Sequence, residues 1–550
     1  MNEINIDTIL TNGEIYTLQK EGDKVNTIGL DKGKIVFAGE HKDYLNYTAD
    51  EIIDLNEKTV IPGMGDSHMH LYAYCQNKTS VMLDNAISIE DVIAIMKEKI
   101  FSTEKGKWIK GAGFDQTNFI ENRLPTRWDL DRISTEHPVI IRRCCLHVAI
   151  ANSLAIKIAG INQSAIGEAN GLIEVDEAGE MTGIFREKAI SIFDEIVPDP
   201  LEDVNLRKKI MLEVFDDMVS KGITSINTYA AKIWNYKEDI EVYKNLEKEG
   251  LLPIRVIVSL DYLFNNKDAG VSKQNPYDKV KYGSYKLFTD GSLGAKSAAL
   301  IEPYSDDEGN YGILVNRNEL TSDLKRAYEL GLQPAIHAIG DKALEITLDA
   351  IEAVVNNNSR GSNEQKKGML PIRIIHAQVV NSNLLERMKR LPIILDIQPI
   401  FLCTDLHWIE SRLGKERIKS AYIWKTMQDA GLMLAGGSDC PVESYDPIMG
   451  IYAAVTRQDF NGFPCDGWEK KERLSVYEAI CLFTKNIACT SGDEDVLGTI
   501  EKNKFADFVV LDTNPFTSEP LKLKDIKVLQ TYVAGKKVYD REACSEAIND

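Results

Sequence analysis

"RNELTSDLKRAYELGLQPAIHAIGD", residues 317–341, holds in one stretch the pattern from which the fold follows. Apolar residues recur at three- and four-residue steps through its first half, as on one face of an amphipathic helix. Gly331 is the expected helix stop. "LQPAIHAIG" is then a short apolar run of the length of a buried strand, and it gives way to a loop at His337. "LRKKIMLEVFDDMVSKG" (206–222) followed by "ITSINTY" repeats the unit. "PIRIIHAQ" (371–378), "LPIILDIQP" (391–399) and "LMLAGGSD" (432–439) supply further strands of the same kind. Helix, Gly, buried strand, many times over, is the pattern of βα units around a parallel sheet. Eight such units need roughly 250 residues, and residues 64–485 hold them with room for an insertion. The fold class expected is therefore α/β, a (β/α)8 barrel.

The ends of the chain read differently. "DTILTNGEIYTL", "TIGLDKGKIVFAGE" and "EIIDLNEKTVIPG" near the start, and "LGTIEKNKFADFVVLDTNP" and "DIKVLQTYVAGKKVYD" near the end, are β-rich runs cut by turn residues. Residues 1–63 and 486–550 are expected to build one small β-domain together, as domains allow when their ends lie close. Residues from about 85 to 185, with "GAGFDQTNF" and "GLIEVDEAGEMTG", follow no regular βα rhythm and are assigned as a mixed insertion over one mouth of the barrel.

Composition bounds the function. The chain has 550 residues and a formal net charge of −20, which argues against nucleic acid or an anionic membrane as the main partner. Nine cysteines, an odd number without a Cys-x-x-Cys pair, indicate neither a disulfide framework nor a thiolate zinc knuckle. "MNEINIDTIL" has no basic start before an apolar core, and no apolar run reaches transmembrane length. A cytoplasmic location is the expectation.

Polar residues stand at the strand ends. His337, His376 and Asp439 close apolar runs, and Lys286 lies in "SYKLFTDGSLG" (284–294). His68 and His70 close "IPGMGDSHMH" (61–70); residues i and i+2 of a strand share a face, so the two imidazoles can meet one cation. Each residue alone has a structural explanation: a buried histidine bonded to backbone, a lysine reaching out from a strand, an aspartate capping a helix. Six at successive strand ends converge on one mouth of a barrel and point to a shared metal site.

"PGMGDSHMH", single histidines on two later strands and "GGSD" resemble the amidohydrolase superfamily. "YKLFTDGSLGAKSAAL", "HAIGDKA", "IIHAQ", "GGSDCPV" and "LPTRWDLDRISTEHPVIIRRCCLHVAIANSLA" are similar to its amidohydrolase family 3 branch, which includes N-substituted formamide deformylases. The resemblance implies a distorted TIM barrel with a β-sandwich from both termini, and a metal-dependent hydrolase. It implies that His68 and His70 bind the more buried of two metals, His337 and His376 the more exposed one, and that Asp439 binds the first metal and shuttles protons. Lys286 matches the lysine that bridges both metals as a CO2-derived carbamate; Lys296, in "GAKSAAL", is the competing lysine. His147 matches a histidine resembling a substrate contact, and Phe114, Asp115 and Asp290 are further candidates. Cys440 is read as packing, since a metal hydroxide needs no thiol.

The reaction so implied is hydrolysis of a C–N bond in a non-peptide amide, an N-substituted formamide being one candidate, through a metal-activated hydroxide. One or two zinc ions per chain are expected, a small amide as partner, and a homodimer as the assembly if there is one. Two alternatives stand beside it. One is a mononuclear, deaminase-like hydrolase of a cyclic amidine, for which Asp341 replaces the glutamate that branch carries. The other is a catalytically idle barrel that senses a ligand.

Overall fold

The computed structural model describes residues 4–40, 47–144, 147–162, 172–194, 196–229, 236–260, 275, 277–314, 317–329, 332–358 and 370–544. Gly331, Cys145 and part of the 85–185 stretch lie outside them. The chain forms two compact units, one of Met1–His70, Leu212–Cys440 and Ser444–Asp550, the other of Leu71–Met211 and Pro441–Glu443.

The first unit is built on eight parallel strands in chain order: β1 (Met64–Met69), β2 (Ile223–Tyr229), β3 (Arg255–Leu260), β4 (Val280–Phe288), β5 (Pro334–Ala338), β6 (Ile372–His376), β7 (Ile393–Ile397) and β8 (Met433–Gly436). β3, β5, β6 and β7 are buried at every residue, which is why they read as continuous apolar runs without alternation. Helices such as Arg317–Glu329 and Asp341–Asn358 return the chain between strands. At the C-terminal end the first and last strands are stitched by His70 N donating to Cys440 O and Asp439 N donating to His68 O, both at 2.7 Å. The result is a nearly closed, distorted TIM barrel.

Two further sheets belong to this unit. One runs in the order Lys34–Gly39, Thr27–Asp31, Ile4–Thr11, Tyr47–Asp54; the other interleaves both ends of the chain, placing Thr59–Pro62 against Phe508–Leu511. Leu10, Ile28 and Leu30 from the first pack with Ile15, Val60, Phe508 and Tyr532 from the second in one apolar cluster, so the two sheets form a β-sandwich. The buried Arg255–Asp507 ion pair, 2.7 Å, ties β3 to it.

The second unit carries its own six-stranded mixed sheet, centred on Ile109–Phe114, Val139–Arg143 and Val148–Ala151. No helix among the described residues is long and apolar enough to cross a membrane.

Candidate metal centre

The strand ends place the predicted ligands on one side of the barrel. His68 lies in β1 and His70 one residue beyond it, Lys286 in β4, His337 in β5, His376 at the end of β6, and Asp439 three residues past β8. Asp439 Oδ1 sits 3.0 Å from His68 Nε2 and 3.2 Å from His70 Nε2. The ligand atoms of these three lie within 4.8 Å of one another. Lys286 Nζ is 3.3 Å from His68 Nε2. His337 Nδ1 and His376 Nε2 face each other at 3.1 Å, and the His68 and His376 rings are 5.7 Å apart. All six residues therefore meet in one small volume.

Hydrogen bonds on the far side of each ring fix which nitrogen is free. His376 Nδ1 donates to Gln398 Oε1 at 2.7 Å, and Gln398 Nε2 donates to Asp396 O at 3.0 Å, which holds the amide oxygen toward the ring. His337 Nε2 donates to Gly291 O at 3.0 Å. His68 Nδ1 meets the Tyr229 hydroxyl at 3.2 Å. This leaves His376 Nε2 and His337 Nδ1 to present lone pairs inward, the arrangement that orients imidazoles toward a metal, while His68 turns Nε2 inward with its Nδ1 against a hydroxyl that can donate or accept.

Electrostatics act the same way. Burial, reinforced by the Lys286 charge, pushes the His68 pKa well below the usual histidine range, and burial followed by the neighbouring His337 does so for His376. Both rings are held neutral, the ligating form. Burial alone would raise the Asp439 carboxyl; the contacts from His68 and His70 outweigh it and hold the group well below the usual carboxylate range. A neutral imidazole set around one anionic oxygen fits a divalent cation such as zinc.

The backbone is strained where the ligands sit. His376, Ala377 and Asp439 have φ of 75°, 45° and 55°, left-handed values that cost non-glycine residues energy and gather at functional sites. Asp439 is held there by its amide bond to His68 O, and Ala377 by donating to Ala338 O at 3.0 Å.

Three residues outside the predicted set support the centre. The buried Asp66 accepts from His68 N at 2.9 Å, Ser438 N at 3.1 Å and Ser438 Oγ, and so clamps β1 to the loop that carries Asp439. Burial pushes its carboxyl up to about 7. Tyr229 and Gln398 hold the rings as described. Each carried a signal in the sequence: Asp66 stands inside "GDSHMH", Tyr229 ends "ITSINTY" and Gln398 follows "LPIILDI", the strand-end position already used for the ligands.

The remaining candidates have other surroundings. Lys296 faces Asp306 and Asp307 at 3.4 and 3.6 Å. Both Asp290 oxygens take backbone amides, from Ile339 at 3.0 Å and from Ala299 and Gly340 at 2.9 and 2.8 Å, while its carboxylate lies 3.4 Å from His337 Nε2. Asp341 accepts from Ile301 N. Cys440 is buried and serves His70 through its carbonyl. In the second unit, Phe114 is buried in an apolar cluster against Phe119, Asp115 binds Thr117 and, at 2.7 Å, Arg143, and His147 is half-buried.

A barrel with this set of strand-end histidines and an aspartate defines a metal-dependent hydrolase of the amidohydrolase type. The chain belongs to the amidohydrolase family, whose family model matches residues 51–539. It is 33% identical to YtcJ of Bacillus subtilis (strain 168), over 96% of this chain and 98% of that one. It is 25% identical to an N-substituted formamide deformylase of Arthrobacter pascens, over 97% and 98%. An uncharacterized metal-dependent hydrolase from Pyrococcus horikoshii OT3 superposes with a TM-score of 0.74 at 31% identity, covering 93% of this chain and 99% of that one.

Proposed function

We propose that the chain hydrolyses the C–N bond of a non-peptide amide, with N-substituted formamides the first class to try, at a two-zinc centre bridged by carboxylated Lys286. The observation that carries this is the meeting of His68, His70, Lys286, His337, His376 and Asp439 at the strand ends. The deformylase among the relatives supports the substrate class. Zinc, when bound, would supply Lewis acidity toward the carbonyl and acidify a water near neutral pH.

The chain's own residues do the rest. Asp439 accepts a proton from the attacking water and returns it to the departing nitrogen, a base turned acid. Its contacts with His68 and His70 keep it ionised and so ready to accept. Lys286 is buried, over the Tyr229 and Phe288 rings at 4.8 and 5.1 Å. As an ammonium 3.3 Å from a ligand nitrogen it would repel a divalent ion. Losing one proton to become the free amine, then adding CO2 and releasing a second proton, would make it an anion with two oxygens able to hold two ions. No disulfide joins the described cysteines, and the enzyme's place is taken to be the cytoplasm.

Elemental analysis and turnover of an amide panel test this together. Two zinc ions per chain and formamide hydrolysis are expected. Lys286→Ala should lose metal and activity together, with partial rescue by a short carboxylate, while Lys296→Ala keeps both. A Lys286→Ala protein with two metals and full turnover rules out the bridge.

One observation favours a second reading: His68, His70 and Asp439 form a tight trio by themselves, which suits a single ion and deaminase-like chemistry. It predicts one metal per chain and release of ammonia from an amidine. A barrel that only senses its ligand would bind the same compounds without turning them over.

A further inference from the structure

Phe288 ends β4 and is paired across the sheet with His337. It stands two residues after Lys286, so both side chains leave the strand on the same face. Leu287 between them points the other way and packs in the main apolar core. Lys286 and His337 are 2% and 5% exposed, yet Phe288 is 46% exposed. Its ring lies 5.1 Å from Lys286 Nζ and 5.5 Å from the His337 ring. Scattered exposed apolar residues are ordinary on a protein surface. A half-open phenyl ring touching two buried polar members of the centre is a different case, because it offers apolar surface directly beside those groups. Phe401 stacks on His376 at 6.1 Å and is itself buried, so among the described residues whose rings contact the centre Phe288 is the aromatic face left open.

We propose that Phe288 forms an aromatic subsite beside the metal centre and gives the enzyme a preference for amides carrying a planar apolar group next to the scissile bond. The proposal rests on the amide-hydrolase reading and names its substrate class. A flat ring on the substrate would cover the exposed face of Phe288, removing apolar surface of both partners from water and adding ring–ring attraction.

The test uses the purified full chain loaded with zinc and two metal-seeking probes with the ring or methyl on nitrogen, N-hydroxy-N-phenylformamide and N-hydroxy-N-methylformamide, with Kd by calorimetry, together with turnover of paired N-phenyl- and N-methylformamides. The wild type should bind the phenyl probe about tenfold or more tighter than the methyl one, a gap of the size that one well-covered ring supplies. Phe288→Ala should bring the ratio close to one, Phe288→Leu should leave it intermediate, and Phe288→Tyr should keep it. A wild-type ratio near one, a ratio that survives Phe288→Ala, or no binding of either probe overturns the subsite. Absence of amide turnover with the probe ratio intact and sensitive to Phe288 overturns the hydrolase reading and supports the subsite.

Discussion

Tyr229 shows how much one atom decides. Its hydroxyl lies 3.2 Å from His68 Nδ1, and that contact turns Nε2 toward Asp439 and Lys286. Partners of this kind typically change metal affinity by about 10- to 100-fold. Tyr229→Phe keeps the ring beneath Lys286 and deletes only the hydroxyl, so zinc affinity should fall about tenfold in competition with a chelator while the fold is retained. Unchanged affinity would mean that packing alone orients His68. Asp439 makes a sharper prediction because its charge matters twice, as a ligand and as a base. Asp439→Asn should lower kcat by ~100- to 10,000-fold, measured on whichever amide the wild type turns over. A variant with wild-type kcat would remove Asp439 from the proton path.

At the scale of the elements, the loop after β8 shows why "GGSD" has two glycines. A Cβ on Gly437 would stand 2.8 Å from His68 N and 3.0 Å from Asp66 Oδ1. A backbone nitrogen cannot step aside without moving the histidine it belongs to. Gly437→Ala should therefore loosen the β1–β8 seam, lower the thermal midpoint by several degrees and weaken zinc binding at the same time. Loss of stability with zinc affinity unchanged would show that the seam does not position the ligands. His337 and His376 stood out in the sequence because β5 and β6 are buried at every residue. A largely apolar run marks each of these two strands and its histidine marks the mouth, whereas β1 (MGDSHM) and β4 (VKYGSYKLF) interleave polar residues. What the clamping residues pair with was not legible, for a reason of distance. Asp66 meets Ser438 across 372 residues and Tyr229 meets His68 across 161, and which strand lies beside which is a property of the closed barrel. Asp290 shows the same limit: the Asp-Gly turn was visible, the three amides that its carboxylate gathers from the loops after β4 and β5 were not. The insertion's sheet is mixed, with parallel and antiparallel neighbours, and lacks the repeating unit that made the barrel readable.

For the whole molecule, the centre is a cost that the rest of the fold carries until metal binds. Three ligand-region residues hold left-handed backbone, and two fully buried histidines are kept neutral by their surroundings. In the unfolded chain those histidines titrate near 6.5. Their native pKa is depressed, so the native state binds fewer protons than the unfolded one once pH drops below that value, and stability falls with pH. Asp66 opposes them: its native pKa is raised to about 7, so it binds a proton that the unfolded carboxyl releases, and its contribution grows as pH falls through 7. Two groups against one leaves a net loss of at most about 1.4 kcal/mol per pH unit below 6.5. The chelated protein should thus show a thermal midpoint that declines from pH 7.5 to 5.5. Asp66→Asn should steepen that decline by removing the opposing group. Zinc binds the native state and stabilises it by mass action, and it finds both imidazoles already neutral there, so these two rings should leave the rise in midpoint on adding zinc nearly the same at pH 7.5 and 5.5. A chelated midpoint that rises on acidification, or a zinc increment that collapses between those pH values, would show that His68 and His376 are not held neutral in the native state.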